Sequence, residues 1–173
     1  GQYYRIEEEL RSLGFKHSLG KGPICRWEYC GIMVDVMPTE GKILGFSNRW
    51  YPVGLSNAEA VILPDGQKIE IFTAPYLLAS KLEAFSDRGR GDFHGSPDME
   101  DIIAVLDGCS GLEKRILSAP TDVRSYIAAK FQELLSTDRF VENIPGHVLD
   151  RANAEVRAAR VLALLKALSS GWA

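Results

Sequence analysis

Apolar residues recur along the first half of the chain with two different periods, and each period predicts a different kind of element. Residues 3–13 repeat apolar positions at helical spacing and predict an amphipathic helix that ends at Gly14. Apolar runs bounded by turn residues predict two antiparallel hairpins. Their strands cover residues 24–29 with 32–37, and residues 58–63 with 68–72. Residues 39–57 are rich in Gly, Ser, Asn and Pro and predict a long loop between the hairpins.

The second half of the chain shows only helical periodicity. The predicted helices cover residues 74–87, 96–107, 121–136 and 148–168. Ser96, Pro97 and Asp98 form a typical helix start, with a capping hydroxyl, a proline at the first position and an acid at the positive end of the dipole. Strands followed by helices predict an α+β fold, with a boundary near Thr73 that divides the chain into residues 1–73 and 74–173.

Composition narrows the functional classes without selecting one. The 173 residues include 46% apolar and 25% charged side chains, which is typical of a soluble globular chain. A net charge of -3 gives no overall attraction to nucleic acid or to an anionic membrane, so any RNA contact must come from a local patch. Cys25, Cys30 and Cys109 lack paired spacing, and no signal peptide or membrane span is visible, which together indicate a reducing cytosol.

Asp35 lies in the middle of an apolar run, Ile32-Met33-Val34-Asp35-Val36-Met37. Strands this apolar are usually covered on both faces, where an unpaired carboxylate is costly. Alternation along the strand places Asp35 between Met33 and Met37 on one face. One interpretation is a metal-binding or catalytic aspartate. The other is an edge strand on which Asp35 reaches water or caps a nearby turn.

Two cations interrupt the apolar face of the helix that begins at Ala74. At about 100° per residue, Lys81 and Arg88 nearly superpose and fall inside the apolar stripe. Two cations in register on an inward face need an anionic partner such as a phosphate. The alternative is that their aliphatic stems lie on the core while the charged ends reach water.

The next helix carries two carboxylates near its buried side. Asp98 falls within its apolar stripe and Asp101 lies at the edge. The helix dipole explains Asp98 and simple solvation explains Asp101 when each acid is taken alone. Together with Lys81 and Arg88, they predict a mixed cluster of two cations and two carboxylates around one cleft.

Two further polar segments contain arginine and are candidates for contact with a phosphate or a base. The connector Arg88-Gly89-Arg90-Gly91-Asp92 suits closure over a triphosphate or an RNA backbone, although a solvated linker explains Arg90 better. The loop Gly45-Phe46-Ser47-Asn48-Arg49-Trp50-Tyr51-Pro52 sets aromatic rings beside an arginine. These rings either stack on a base or fix the loop to the core.

Four segments carry a likeness to a known family. They are Val34-Asp35-Val36-Met37-Pro38, Gly45-Phe46-Ser47-Asn48-Arg49-Trp50-Tyr51, Ala79-Ser80-Lys81-Leu82-Glu83-Ala84-Phe85 and Ser96-Pro97-Asp98-Met99-Glu100-Asp101-Ile102. In this order and spacing they resemble the AbiEii-type nucleotidyltransferases of the DNA polymerase β-like superfamily, several of which act as toxins in toxin–antitoxin pairs. The likeness covers most of residues 3–110. It implies a partial nucleotidyltransferase-type sheet followed by a helical half.

The resemblance also implies an activity, which is metal-assisted nucleotidyl transfer. Asp35 matches the family's third metal-binding carboxylate, Lys81 the lysine that contacts nucleotide phosphates, and Asp98 or Asp101 the later catalytic aspartate. Arg88 and Lys81 would offset charge on the pyrophosphate. The implied cofactors are Mg²⁺ and a nucleoside triphosphate. The implied partners are the nucleotide, tRNA or another RNA, and a cognate antitoxin protein, without a membrane.

One feature of the family pattern is missing from this chain. The Gly-rich turn and the D-x-D pair of the family precede the third carboxylate, and no D-x-D triplet occurs before Asp35. With at most one core ligand left, tight Mg²⁺ binding is not expected. We therefore expect an N-terminally shortened member that is inactive by itself. The alternative is a non-catalytic module that binds a nucleotide or a partner.

The last predicted helix bears on the partner alternative. Its apolar face around Val161 to Leu168 suits docking on another chain, and it suits an intramolecular core as well.

Overall fold

A computed structural model describes residues 2–18, 23–38 and 48–170. Contacts divide the chain into two compact units, Gly1–Asn48 and Arg49–Ala173. The boundary drawn from the sequence near Thr73 assigns the second hairpin to the first half, whereas the hairpin belongs to the second compact unit. The part of the predicted loop at residues 39–47 lies outside the described residues.

The first unit pairs one helix with a small antiparallel sheet. Its elements are α1 (Gln2–Ser12), β1 (Lys16–His17), β2 (Arg26–Tyr29) and β3 (Ile32–Asp35), in the sheet order β1-β2-β3. The predicted helix and the first predicted hairpin are thereby confirmed. Tyr29 faces Ile32, so Cys30 and Gly31 form a two-residue turn, with φ angles of 49° and 80°. Two positive φ values are typical of the type I′ turn, whose twist matches that of the strands.

The centre of the first unit is Trp27. Its side chain is fully buried, and the ring of His17 lies 3.8 Å from it between centroids. Cys25 is also fully buried, and Tyr3 of α1 is nearly so. His17 Nε2 lies 3.2 Å from Glu7 Oε1, which ties β1 to α1.

Strand β3 is shorter and more exposed than the sequence predicts. The predicted strand runs to Met37 and is covered on both faces, but β3 ends at Asp35 and all four of its residues are exposed. Among the described residues β3 is the edge of a three-stranded sheet. So small a sheet cannot bury both faces of its edge strand. The structure therefore contradicts a covered strand and confirms the other interpretation, an edge strand on which Asp35 is exposed.

The second unit contains one hairpin and most of the helices. Its elements are α2 (Trp50–Ser56), β4 (Glu59–Ile62), β5 (Lys68–Ile71), α3 (Ala74–Arg88), α4 (Pro97–Gly108), α5 (Leu112–Leu117), α6 (Thr121–Leu135), α7 (Asp138–His147), a 3-10 turn (Arg151–Asn153) and α8 (Ala154–Ser169). Strands β4 and β5 pair antiparallel across the Pro64-Asp65-Gly66 turn, as predicted.

Helix α3 lies at the centre of the second unit and packs against α2, α4, α5 and α6. Leu78 of α3, Phe131 of α6 and Leu165 of α8 are fully buried in one continuous apolar cluster. Val161 and Leu168 are buried there too, so the apolar face of the last helix serves the core of the chain.

Four helical segments differ from the prediction. Residues 50–56 form helix α2 where a loop is predicted, because Trp50 is buried in the core and Pro52 falls in the first turn, where no N–H is needed. Helices α5 and α7 are additional. The last helix begins at Ala154 rather than Val148, after a turn in which Asn153 Nδ2 donates to Asp150 Oδ2 at 2.9 Å.

The architecture is α+β, with the strands in the N-terminal half and helices throughout the rest. This confirms the predicted fold class. No helix within the described ranges has both the length and the apolar character needed to cross a bilayer.

Candidate functional site

Helices α3 and α4 hold four of the predicted site residues. Their apolar faces, with Leu82 and Phe85 on α3 and Ile102 on α4, are buried against each other and the core. Ser96 precedes α4 in an extended conformation, and Pro97 occupies the first helical position. This start brings Asp98 to the side of α3 that carries Lys81 and Arg88.

Asp98 and Arg88 form a two-pronged ion pair. Arg88 Nε donates to Asp98 Oδ2 at 2.7 Å, and Nη2 donates to Oδ1 at 2.8 Å. The Asp98 side chain is only 4% exposed, whereas that of Arg88 is 55% exposed. A planar guanidinium matches a carboxylate in this geometry, which makes such pairs strong and directional.

Lys81 bridges the two carboxylates of α4. Its Nζ lies 3.5 Å from Asp98 Oδ1 and 2.5 Å from Asp101 Oδ2. The Lys81 side chain is 29% exposed and that of Asp101 is 51% exposed. Lys81 therefore lies at the border between the interior, where Asp98 is buried, and the solvent, where Asp101 reaches water.

The charges in this cluster of Lys81, Arg88, Asp98 and Asp101 balance, with two cations and two anions. Burial by itself would raise the pKa of Asp98, but the hydrogen bonds and charges of Arg88 and Lys81 outweigh it and hold that pKa below its ordinary value. The hydrogen bond to Asp98 in turn raises the pKa of Arg88. Asp98 therefore stays ionised at neutral pH and fixes both cations.

The connector between α3 and α4 is a hydrogen-bonded turn. Asp92 Oδ1 accepts the backbone N–H groups of His94 at 3.1 Å and of Gly95 at 2.9 Å. Arg90 has a left-handed φ of 49°, an uncommon conformation for a residue other than glycine. Phe93 packs on Phe85, and its carbonyl oxygen lies 2.6 Å from His147 Nε2. These contacts position the helix start that carries Asp98.

A second polar network on α3 is not identified from the sequence. Tyr126 Oη donates to Glu83 Oε2 at 2.6 Å, and the Arg49 guanidinium lies over the rings of Tyr126, at 4.6 Å, and of Trp50, at 4.9 Å. Burial, and then Glu83, raise the pKa of Tyr126. Glu83 and Tyr126 are 43 residues apart, and no local pattern connects them.

Only part of the predicted aromatic segment around Arg49 lies within the described residues. Trp50 is buried in the core and Tyr51 is partly buried, so Trp50 fixes this part of the chain as one interpretation of the sequence expects. Gly45, Phe46 and Ser47 lie outside the described residues.

Asp35, the predicted metal ligand, belongs to the first unit. Its carboxylate forms an ion pair with the guanidinium of Arg26. Arg26 Nε donates to Asp35 Oδ1 at 2.7 Å, and Nη2 donates to Oδ2 at 2.8 Å. The hydrogen bond from Arg26 lowers the pKa of Asp35. The two-residue turn at Cys30 and Gly31 places Arg26 opposite Asp35 in the register, so the tight hairpin predicted from the sequence already contained the signal for this pair.

Asp35 and Asp98 do not fit a magnesium centre. Both oxygens of Asp35 accept hydrogen bonds from Arg26, and both oxygens of Asp98 accept them from Arg88. Within the described ranges, no group of three or more His, Cys, Asp and Glu side chains is arranged to hold a metal ion. The structure thus brings together Lys81, Arg88, Asp98 and Asp101, but it assembles no metal site from them.

Comparisons of the chain with protein-family models, curated proteins and solved structures gave no match.

Proposed function

We propose that Lys81 and Arg88, both paired with Asp98, contact the phosphates of a nucleotide, and that the chain is a nucleotidyltransferase-like protein of the AbiEii type. Binding, rather than catalysis, is the function proposed for this chain. The non-catalytic partner-binding module is the alternative.

The observation that supports phosphate binding is the unequal exposure of the two acids that contact Lys81. Asp98 is buried and keeps Arg88 in place, whereas Asp101 is half exposed. An exposed ion pair contributes only about 0–1 kcal/mol, so separating Asp101 from Lys81 costs little. A phosphate oxygen can replace the Asp101 carboxylate and leave the buried pair intact.

The reaction that the resemblance implies is also a proposal. It is Mg²⁺-dependent transfer of a nucleotide from a nucleoside triphosphate to an RNA or protein hydroxyl, with a toxin–antitoxin pair as its setting. The carboxylates described above do not provide the metal centre that this reaction needs, so no step through a metal is assigned to them.

Titration calorimetry with ATP and GTP, in EDTA and in excess Mg²⁺, tests the proposal. We expect saturable binding that persists in EDTA and weakens as salt is raised, because exposed charges are screened. Lys81→Ala should weaken binding by about tenfold or more, since a charge-assisted hydrogen bond is lost. Lys114→Ala, at an exposed lysine on α5, is the matched control and should bind like the wild type.

Asp101→Asn makes the test more specific. Removing the competing carboxylate should tighten nucleotide binding by up to about fivefold. The proposal fails if neither nucleotide binds, or if Lys81→Ala and Lys114→Ala have equal effects. Nucleotide transfer by the chain itself would overturn the binding-only part of the proposal and leave the phosphate contact standing.

A further inference from the structure

The outer edge of β5, the second strand of the hairpin of β4 and β5, is open. All four residues of β5 are exposed, and no other strand of the described residues pairs with it. A two-stranded hairpin is marginal by itself, and an open edge is a template for another strand. A lysine on an edge normally discourages such pairing, and β5 carries Lys68. Glu70 lies on the same face of β5 and carries the opposite charge, so a second strand can place a glutamate opposite Lys68 and a lysine opposite Glu70.

The hydrogen-bond pattern of the hairpin fixes which β5 groups point outward. The N–H of Leu63 donates to the carbonyl oxygen of Gln67 at 2.8 Å, so Leu63 and Gln67 form a hydrogen-bonded pair whose backbone N–H and C=O groups point towards each other. Antiparallel pairs alternate between hydrogen-bonded and non-hydrogen-bonded positions. Ile69 and Ile71 therefore direct their amides towards β4. Lys68 and Glu70 direct theirs to the open edge.

This alternation restricts how β5 can pair with a β5 strand of a second copy. In an antiparallel pair of β5 strands, the outward N–H and C=O groups of Lys68 and Glu70 must bond to the outward groups of Lys68 and Glu70 in the second copy. The twofold axis that relates the two copies therefore passes through a residue and not between two residues. An axis at Lys68 or at Glu70 sets two like charges opposite each other, which is destabilising. An axis at Ile69 sets Lys68 opposite Glu70 of the second copy, twice.

The same register also joins two apolar faces. Val61, Ile69 and Ile71 lie on one face of the hairpin, where Ile69 is 37% exposed and Ile71 is 40% exposed. Pairing about Ile69 makes the two Ile69 side chains neighbours at a close, non-hydrogen-bonded position. Glu59 on this face is paired with Arg115 at 3.1 Å, so it adds no unbalanced charge.

We propose that β5 pairs antiparallel with β5 of a second copy of this chain, about a twofold axis at Ile69, to form a four-stranded sheet. The two Lys68–Glu70 contacts across the axis select this register. The paired edge is only four residues long, which places the dimer among weak, concentration-dependent associations. This inference is independent of the proposed nucleotide binding.

A pair of charge variants tests the register. Glu70→Lys leaves two lysines on each edge, and Lys68→Glu leaves two glutamates. By sedimentation equilibrium from about 10 μM to about 1 mM, the wild type should dimerise. Each variant alone should dimerise about tenfold more weakly or not at all. An equimolar mixture of the two should form a heterodimer, because unlike charges then face each other at every position.

Matched controls separate this register from general charge effects. Glu113→Lys and Lys114→Glu make the same charge changes at exposed residues of α5 and should associate like the wild type. Far-UV circular dichroism establishes that all variants are folded. A wild type that stays monomeric to about 1 mM, or a mixture that associates no better than its components, overturns the inference.

Discussion

Asp98 and Asp101 contact the same lysine and have opposite environments. Asp98 is 4% exposed and paired with two cations, whereas Asp101 is 51% exposed and paired with Lys81. A buried charge that loses its partners is costly, and an exposed charge finds water instead. Replacing each aspartate by asparagine should therefore reduce stability much more at Asp98, which holds the two cations, than at Asp101, whose carboxylate can be replaced by water.

Asp98→Asn should lower the free energy of unfolding by about 2 kcal/mol, because charged hydrogen bonds to Arg88 and Lys81 are weakened. Asp101→Asn should lower it by less than about 1 kcal/mol. Urea denaturation at pH 7 measures both values, with the m-value as a check that the unfolding transition is unchanged. Equal losses for the two variants would contradict the assignment of Asp98 as the anchor.

The contribution of Asp98 should depend on pH. Its pKa is lower in the folded chain than the ordinary aspartate value of about 3.9, so the folded state favours the ionised form. That stability is present above about pH 4 and is lost as the pH falls through the lowered pKa. The difference in unfolding free energy between wild type and Asp98→Asn should shrink in acid. A difference that is constant from about pH 6 to about pH 2.5 would rule out this linkage.

At the scale of elements, helix α2 shows how tertiary packing overrides a loop-like sequence. Residues 50–56 include Pro52 and Gly54, both of which disfavour a helix interior. Gly54 is buried, and a Cβ atom there would lie 2.7 Å from Cε2 of Phe72. The helix therefore forms because Trp50 is buried in the core and because Gly54 lets the Phe72 ring approach.

Gly54→Ala should destabilise the chain by about 1–3 kcal/mol, because the added methyl group overlaps the Phe72 ring. Gly146→Ala in α7 is the matched control, since a Cβ atom there has no neighbour within 4 Å. That control should be neutral or stabilise by up to about 1 kcal/mol through helix propensity. Thermal unfolding followed by circular dichroism compares them, and a Gly54→Ala variant as stable as the control would exclude the close packing.

Secondary structure was largely predictable from the sequence, and the exceptions have a common cause. Helices α3, α4 and α6 and both hairpins follow from periodicity and from proline and turn residues, which act over a few positions. The capping hydroxyl predicted at Ser96 makes no side-chain hydrogen bond to the start of α4. Helices α2, α5 and α7 are shorter and depend on burial of particular residues, such as Trp50, Ile116 and Phe140. Short helices are marginal without tertiary packing, so local patterns do not identify them.

At the scale of the whole molecule, the apolar core belongs to the second compact unit. Every member of the main buried cluster lies between Trp50 and Leu168. The hairpin of β4 and β5 is tied to this unit by the ion pair of Glu59 with Arg115, and Phe72 packs against its core. The structural division thus falls 25 residues before the boundary drawn at Thr73.

The fragment of residues 49–173 should fold by itself, with cooperative thermal unfolding and a strongly helical spectrum, because it contains the whole cluster. The fragment of residues 74–173 should be less stable or only partly folded, since it lacks Trp50 and Phe72. Circular dichroism of both fragments makes the comparison. Equal stability would favour the boundary near Thr73 instead.

The sequence by itself determined the α+β class, the hairpins, the long helices and the charged residues on the inward sides of α3 and α4. Tertiary structure alone decided which cations pair with Asp98 and Asp101, that Glu83 meets Tyr126, and which of the two interpretations of the β3 strand holds. Periodicity reports which face of an element is apolar, because it depends on neighbours along the chain. Burial and partner choice depend on residues that are distant in sequence, and only the packed chain brings those together.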